Sequence, residues 1–245
     1  MRLGVALLVP SPLDREIDGM RRALGDGALG RIPAHLTLVP PVNVREDRLD
    51  EALVLLRVAG TAVTPITVTL GPPATFLPGT PVLYLPVAEG AEAIGKLRDR
   101  VFQDPLARPL GWPFTPHVTL ADEATPERIA AAVDALADYR VDVTFDSVFV
   151  LQEGPARVWE VMAEAPLGPP RVFGRGGLPL EINTTATVGP EERGLLVSSG
   201  QEAVLTARRD GEVVGVLQLA LAEGERQLGT AEHLRRALAL VELDG

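Results

Sequence analysis

One pattern is written twice along this chain, and each copy carries the same short phrase. Residues 33–39 read PAHLTLV and residues 115–121 read TPHVTLA, which sets two His-x-Thr-Leu tetrapeptides 82 positions apart. Around them the order strand, helix, motif strand, helix, strand repeats. In the first half LGVALLV (3–9) reads as a strand and LDREIDGMRRAL (13–24) as an amphipathic helix. After the motif come EDRLDEALVLLRVAG (46–60), a helix, and PITVTL (65–70), a strand. In the second half PVLYLPV (81–87) is a strand and GAEAIGKLRDRVF (90–102) a helix. Following the second motif, TPERIAAAVDALADY (125–139) is a helix with Thr125 as its N-cap and Pro126 at its first position. VDVTFDSVFVLQ (141–152) then reads as one strand, paired as a hairpin with VWEVMAEA (158–165). If a pseudo-twofold axis relates the two halves, the motif strands are expected side by side at the centre of a cleft.

The strand repeat gives the phrase its chemical meaning. Side chains alternate between faces, so His35 and Thr37 share one face while Ala34, Leu36 and Leu38 take the other. His117 and Thr119 share a face in the same way, against Pro116, Val118 and Leu120. Two imidazoles and two hydroxyls would therefore meet in the cleft. That set suits phosphoester chemistry. An ordinary imidazole titrates near ~6.5, so one histidine can serve as base while the other, protonated, serves as acid. The hydroxyls can donate hydrogen bonds to phosphate oxygens as charge builds on them. No Asp/Glu/His cluster has metal-ligand spacing, so neither a metal nor a cofactor is expected. The competing reading is of two core strands whose histidines merely bond to backbone. The doubling at matched places argues against it.

Composition narrows the partners. The 245 residues contain no cysteine, which removes thiolate catalysis, disulfides and Cys-bound metals. No apolar run approaches the ~18–20 residues of a membrane span and the N-terminus does not read as a signal peptide, so a cytoplasmic protein with no membrane partner is expected. Lys96 is the only lysine, as in a chain from a GC-rich genome. The formal net charge is −10, whereas a protein that tracks a long phosphate backbone shows a basic face. A small cyclic nucleotide, or only the 3′ end of an RNA, fits this balance better than a duplex.

Over residues 1–168 the two motifs and the duplicated order resemble the 2H phosphoesterase superfamily, in particular its bacterial 2′-5′ RNA ligase or RNA 2′,3′-cyclic phosphodiesterase branch. The resemblance implies a bilobal, duplicated α+β fold with a central V-shaped cleft, with His35 and His117 as catalytic residues and Thr37 and Thr119 as phosphate-binding residues. It further implies hydrolysis of a 2′,3′-cyclic phosphate to a 2′-phosphomonoester, with reversible 2′-5′ ligation in some members. The analogy leans to His35 as acid and His117 as base; the residues themselves leave that open. In the RNA-processing branch an arginine commonly follows the second motif, whereas this chain has Asp122, which points towards a different cyclic phosphodiester. Arg45 and Arg157 are the candidate replacement cations, with exposed surface positions the plainer reading of both. Two other function classes stay open: a non-catalytic nucleotide-binding or regulatory module, and an acyltransferase.

The acyltransferase reading comes from the far end of the chain. Residues 169–179, dense in Pro and Gly, read as a linker, and 180–245 as a small α/β appendage. AVLTARRDGEVVGVLQLAL is a hairpin turning at Asp210-Gly211. Arg226, Gln227, Gly229 and Ala231 then open a helix and resemble the phosphate loop of GNAT acetyltransferases, which would hold acetyl-CoA on backbone N–H groups. The later strand and helix of that family have no counterpart, so a truncated GNAT-like appendage is expected rather than a working acyltransferase. His233 reads as a surface or packing residue. The open hairpin edge points to a homodimer through this segment.

Overall fold

The first half of the chain runs β1 (Arg2–Leu8), α1 (Leu13–Leu24), β2 (His35–Asn43), α2 (Leu49–Thr61) and β3 (Ile66–Leu70). A two-residue strand, β4 (Ala74–Thr75), leads into the second half. There β5 (Leu83–Glu89), α3 (Ala91–Val101), β6 (His117–Ala121), α4 (Pro126–Ala135) and β7 (Val141–Phe145) follow in the same order. β8 (Ser147–Glu153) and β9 (Trp159–Pro166) complete this part. α1 ends where Gly25 takes φ +73° and turns its N–H back to the carbonyls of Arg21 and Arg22, a left-handed cap that glycine adopts without a Cβ clash. α4 begins as its sequence demands. The Thr125 hydroxyl accepts the Arg128 N–H at 3.3 Å, ahead of Pro126 in the first turn.

The structure, a computed structural model, describes residues 1–168 and the strand segments 171–173, 179–184, 202–209 and 212–220. The chain divides into two compact units, Met1–Gly168 and Pro169–Gly245. In the first unit the strands form one antiparallel sheet in the order β7-β3-β5-β6-β2-β1-β8-β9, with β4 against β5. The motif strands β2 and β6 are neighbours at its centre.

Two departures from the sequence reading matter. Residues 141–152 are not one strand but two, parted at Asp146: β7 pairs with β3 and β8 pairs with β1. The halves also exchange strands. β3, from the first half of the chain, lies among second-half strands, and β8, from the second half, lies beside β1. Each lobe is thus closed by a strand from the other. The helices cross over as well, with α1 packed on β6 and α3 on β2.

That crossing explains the buried face of the motifs. Leu36, Leu38, Val118 and Leu120 are all fully buried, each contributing about 1.5–3 kcal/mol on removal from water. α1 turns Leu13, Ile17 and Arg21 inward and α3 turns Ile94, Leu97 and Val101 inward. The spacings of three or four residues give each helix one buried stripe.

In the second unit β10 (Arg171–Phe173), β11 (Pro179–Thr184), β12 (Glu202–Arg209) and β13 (Glu212–Ala220) form a four-stranded antiparallel sheet in sequence order. The stretch expected as a linker therefore contains β10, because a short Arg-Val-Phe run finds backbone partners on β11. The hairpin of β12 and β13 has the expected register, with Arg209 opposite Glu212. The helix expected after it lies outside the described residues.

Candidate active site

The site follows from one register. Leu36 of β2 pairs with Val118 of β6 in antiparallel sense. One step to either side sets His35 opposite Thr119 and Thr37 opposite His117. Directly opposed residues point to the same face, so all four form a two-by-two array with the histidines on one diagonal. Such diagonal neighbours lie about 7–8 Å apart, leaving room for one tetrahedral group between the imidazoles. All four residues are half-buried and stand on the face opposite to that of Leu36 and Val118, which face the core.

Both rings are held by the same device. His35 Nδ1 lies 2.8 Å from the carbonyl of Pro33, and His117 Nδ1 lies 2.6 Å from the carbonyl of Thr115, each two residues upstream. A carbonyl can only accept, so Nδ1 carries the proton in both rings and Nε2 is left for chemistry. Burial pushes the pKa of each histidine below the ordinary imidazole value. The carbonyl bonds work against this shift, and the nearby Arg21 guanidinium adds to it at His35.

The surroundings of the two rings differ. Behind His35 lies a buried ion pair, Arg21 Nε to Asp26 Oδ2 at 2.8 Å, with the two side chains 3% and 1% exposed. Arg21 also donates to Asp18 at 2.8 Å and to the carbonyl of Ile32 at 3.1 Å, which clamps the loop carrying Pro33. The other oxygen of Asp26 accepts the N–H of Ala28 at 3.2 Å and of Asp122 at 3.3 Å. Asp122 follows β6 directly, so this carboxylate ties the first-motif loop to the end of the second motif strand. His117 instead packs on aromatic rings. Its ring centroid is 5.2 Å from that of Phe76 and 5.0 Å from that of Tyr84, which stack on each other at 4.1 Å. The approach to His117 is pinned by Arg98, whose guanidinium lies 4.3 Å from the Phe102 ring and 4.5 Å from that of Phe114.

The remaining candidates fall elsewhere. Asp122 enters the site region through its backbone, and its side chain is exposed. Arg45 is exposed and bound to Asp47 at 2.6 Å, while Arg157 is exposed and lies 3.6 Å from Glu153. Arg226, Gln227, Gly229, Ala231 and His233 lie outside the described residues. Among the described residues no three His, Cys, Asp or Glu side chains converge on a common point, and no helix is long and apolar enough to cross a membrane. Sequence reasoning missed Arg21 and Asp26, although a signal was present: Arg21 continues the Leu13-Ile17 stripe at a spacing of four and so falls on the buried face. It also missed Phe76 and Tyr84, for which no local pattern exists.

A family model described as the 2′-5′ RNA ligase superfamily matches residues 9–156. This chain belongs to that superfamily. A protein of Bacillus pumilus named "Putative phosphoesterase" is 29% identical over 165 residues, covering 65% of this chain and 95% of its own length. A relative with the same description from Geobacillus is 33% identical over 122 residues, covering 49% of this chain and 68% of its own length. The crystal structure of TT0787 of Thermus thermophilus has the same fold, with a TM-score of 0.50 at 23% identity over 68% of this chain and 98% of that one. Both motif strands of this 2′-5′ RNA ligase superfamily member lie inside the matched residues.

Proposed function

We propose that this protein hydrolyses a 2′,3′-cyclic phosphodiester to a 2′-phosphomonoester, with two histidines as its acid and base and no metal. The observation that carries this reading is the diagonal pair of imidazoles, each with Nδ1 committed to a carbonyl and each on a strand position directly opposite a threonine. In the step, one Nε2 takes a proton from water as the water oxygen bonds to phosphorus. The bond from phosphorus to the ribose 3′ oxygen breaks, and the other Nε2–H protonates that oxygen. Thr37 and Thr119 donate hydrogen bonds to the non-bridging oxygens as their charge grows.

Burial is the main influence on both rings; at His35 Arg21 and His117 further oppose protonation and Asp26 offsets them only in part, whereas His117 meets none of these charges. His35 is therefore assigned as the base and His117 as the acid, the reverse of the assignment that analogy favours. The same histidine pair could run the step backwards as 2′-5′ ligation. The substrate is a small cyclic nucleotide or an RNA 3′ end. With Asp122 exposed after the second motif, a long polyanion is the poorer fit.

The test is hydrolysis of 2′,3′-cyclic nucleotides in excess EDTA. Activity should persist, and His35→Ala or His117→Ala should each lower kcat by at least about 10²-fold. Full activity in both variants, or loss of wild-type activity on chelation, would sink the proposal. Tight binding without turnover would identify the non-catalytic module instead.

A further inference from the structure

The two motif strands are entered in different ways. Ahead of His35 the chain is laced by hydrogen bonds. The N–H groups of Arg31 and Ile32 donate to the carbonyl of Ala28, that of Trp159 to the carbonyl of Arg31, and that of Val9 to the carbonyl of Ala34. Ahead of His117, among the described residues, no backbone-to-backbone hydrogen bond is made from Arg108 to Thr115. Residues 107–113 are all exposed, Trp112 at 83%, and Phe114 is the first to turn inward. Seating of this approach therefore falls to one side chain.

What Phe114 meets is Arg98 of α3, whose guanidinium touches the rings of both Phe114 and Phe102. The Arg98 side chain is only 13% exposed, and its Nε is buried with no hydrogen-bond partner among the described residues. The carboxylate beside it, Asp99, stands 3.9 Å away and is itself exposed. A buried N–H that bonds to nothing costs stability, and a methionine of similar length would fill the same space without that cost. Packing alone does not account for an arginine here. The attraction of a flat cation to two rings does, because it holds Phe114 by a directional contact where hydrogen bonds are missing.

Phe114 adjoins Thr115, whose carbonyl accepts from His117 Nδ1 at 2.6 Å. The groups facing His117 are Phe76, Tyr84, Thr37 and, across the diagonal, His35. None is a carboxylate, so the Thr115 carbonyl is what selects the ring nitrogen that carries the proton. Resting on the phosphodiesterase reading above, we propose that Arg98 is a positioning residue for His117: it holds Phe114, and through Phe114 the Thr115 carbonyl, which keeps Nδ1 committed and leaves Nε2 for the reaction. Arg98 acts without touching the substrate.

Nitrogen NMR of the imidazole rings reads the proton directly. In the wild type, neutral His117 should be the Nδ1–H tautomer. Arg98→Met and, separately, Phe114→Leu should each mix the two tautomers at His117 and leave the His35 signals unchanged. Each should also lower the His117 pKa by about half a pH unit, the scale of one lost hydrogen bond. In turnover, kcat should fall at least about tenfold, as for a misplaced catalytic group. The high-pH limb of kcat/KM, set by an acid that must be protonated, should move down with the His117 pKa. Combining the two substitutions should add little, because they act in one line. Wild-type His117 signals in either variant, or equal changes at His35 and His117, would overturn the positioning role. If Arg98→Met does not fold, Phe114→Leu, which keeps the cation, decides alone. Hydrolysis is read separately. Its absence in the wild type, with the ring response as expected, would remove the phosphodiesterase reading and leave the role of Arg98 standing.

Discussion

His35 and His117 hold equivalent places in two lobes of one sheet, yet the lobes support them by different physics. The first lobe backs its histidine with a buried ion pair. The second packs its histidine on stacked aromatic rings. Arg21 reaches its place behind His35 from α1, which packs on β6, whereas α3, packed on β2, turns only apolar side chains into the core. The repeated pattern thus supplies a symmetric pair of imidazoles, and their different neighbours make them unequal. A two-histidine mechanism requires that inequality, because one ring must be neutral while the other carries the proton.

The largest effect should come from the ion pair. Arg21→Met leaves the Asp26 carboxylate buried and uncompensated, and should cost about 3–5 kcal/mol of stability, measured by urea denaturation. Adding Asp26→Leu should recover most of that loss but not the activity, because the clamps on Ile32 and on the Asp122 N–H remain broken. If the double variant regains full kcat, the pair is only a packing feature and the asymmetry of the lobes has no catalytic meaning.

Next in size is the split between acid and base. With an aryl phosphodiester whose nitrophenolate leaves without a proton, His117→Ala should regain most of its roughly 10²-fold loss, while His35→Ala should not. Rescue of the His35 variant instead would invert the assignment.

The smallest effect is on stability against pH. Burial lowers both histidine pKa values in the folded state, whereas the unfolded chain titrates near ~6.5. Below that value the unfolded state binds more protons, so this contribution to stability is complete above about pH 6.5 and is lost as pH falls through the folded pKa values. Thermal melts should show the decline, and His35→Gln should flatten it. For the same reason the optimum of kcat/KM should lie on the acid side of an ordinary histidine. An optimum well above pH 7 would contradict the lowered pKa values of the buried pair.

Much of the site was legible because its information is local. The alternation in PAHLTLV and TPHVTLA already sets His and Thr on one face and the aliphatic residues on the other, and proline at position 126 after Thr125 marks a helix start. The break at Asp146 was not legible, because both sides of it are sound strand sequence and only their different partners separate β7 from β8. Nor was the ring pair at His117, since Phe76 and Tyr84 meet His117 across more than thirty residues of chain, through pairing of β5 with β6.

By itself, the sequence determined which side chains could do chemistry, on which face of their strands they stand, and that there are two copies. It could do so because strand and helix periods are short-range properties of the backbone. Only the tertiary structure decided that β2 and β6 are neighbours in a register that puts each histidine opposite a threonine. It alone decided, too, that the lobes trade strands and helices, and that an ion pair backs one histidine while stacked rings pack on the other. Those outcomes depend on partners far apart in sequence, where packing and pairing energies, rather than local propensity, select the arrangement.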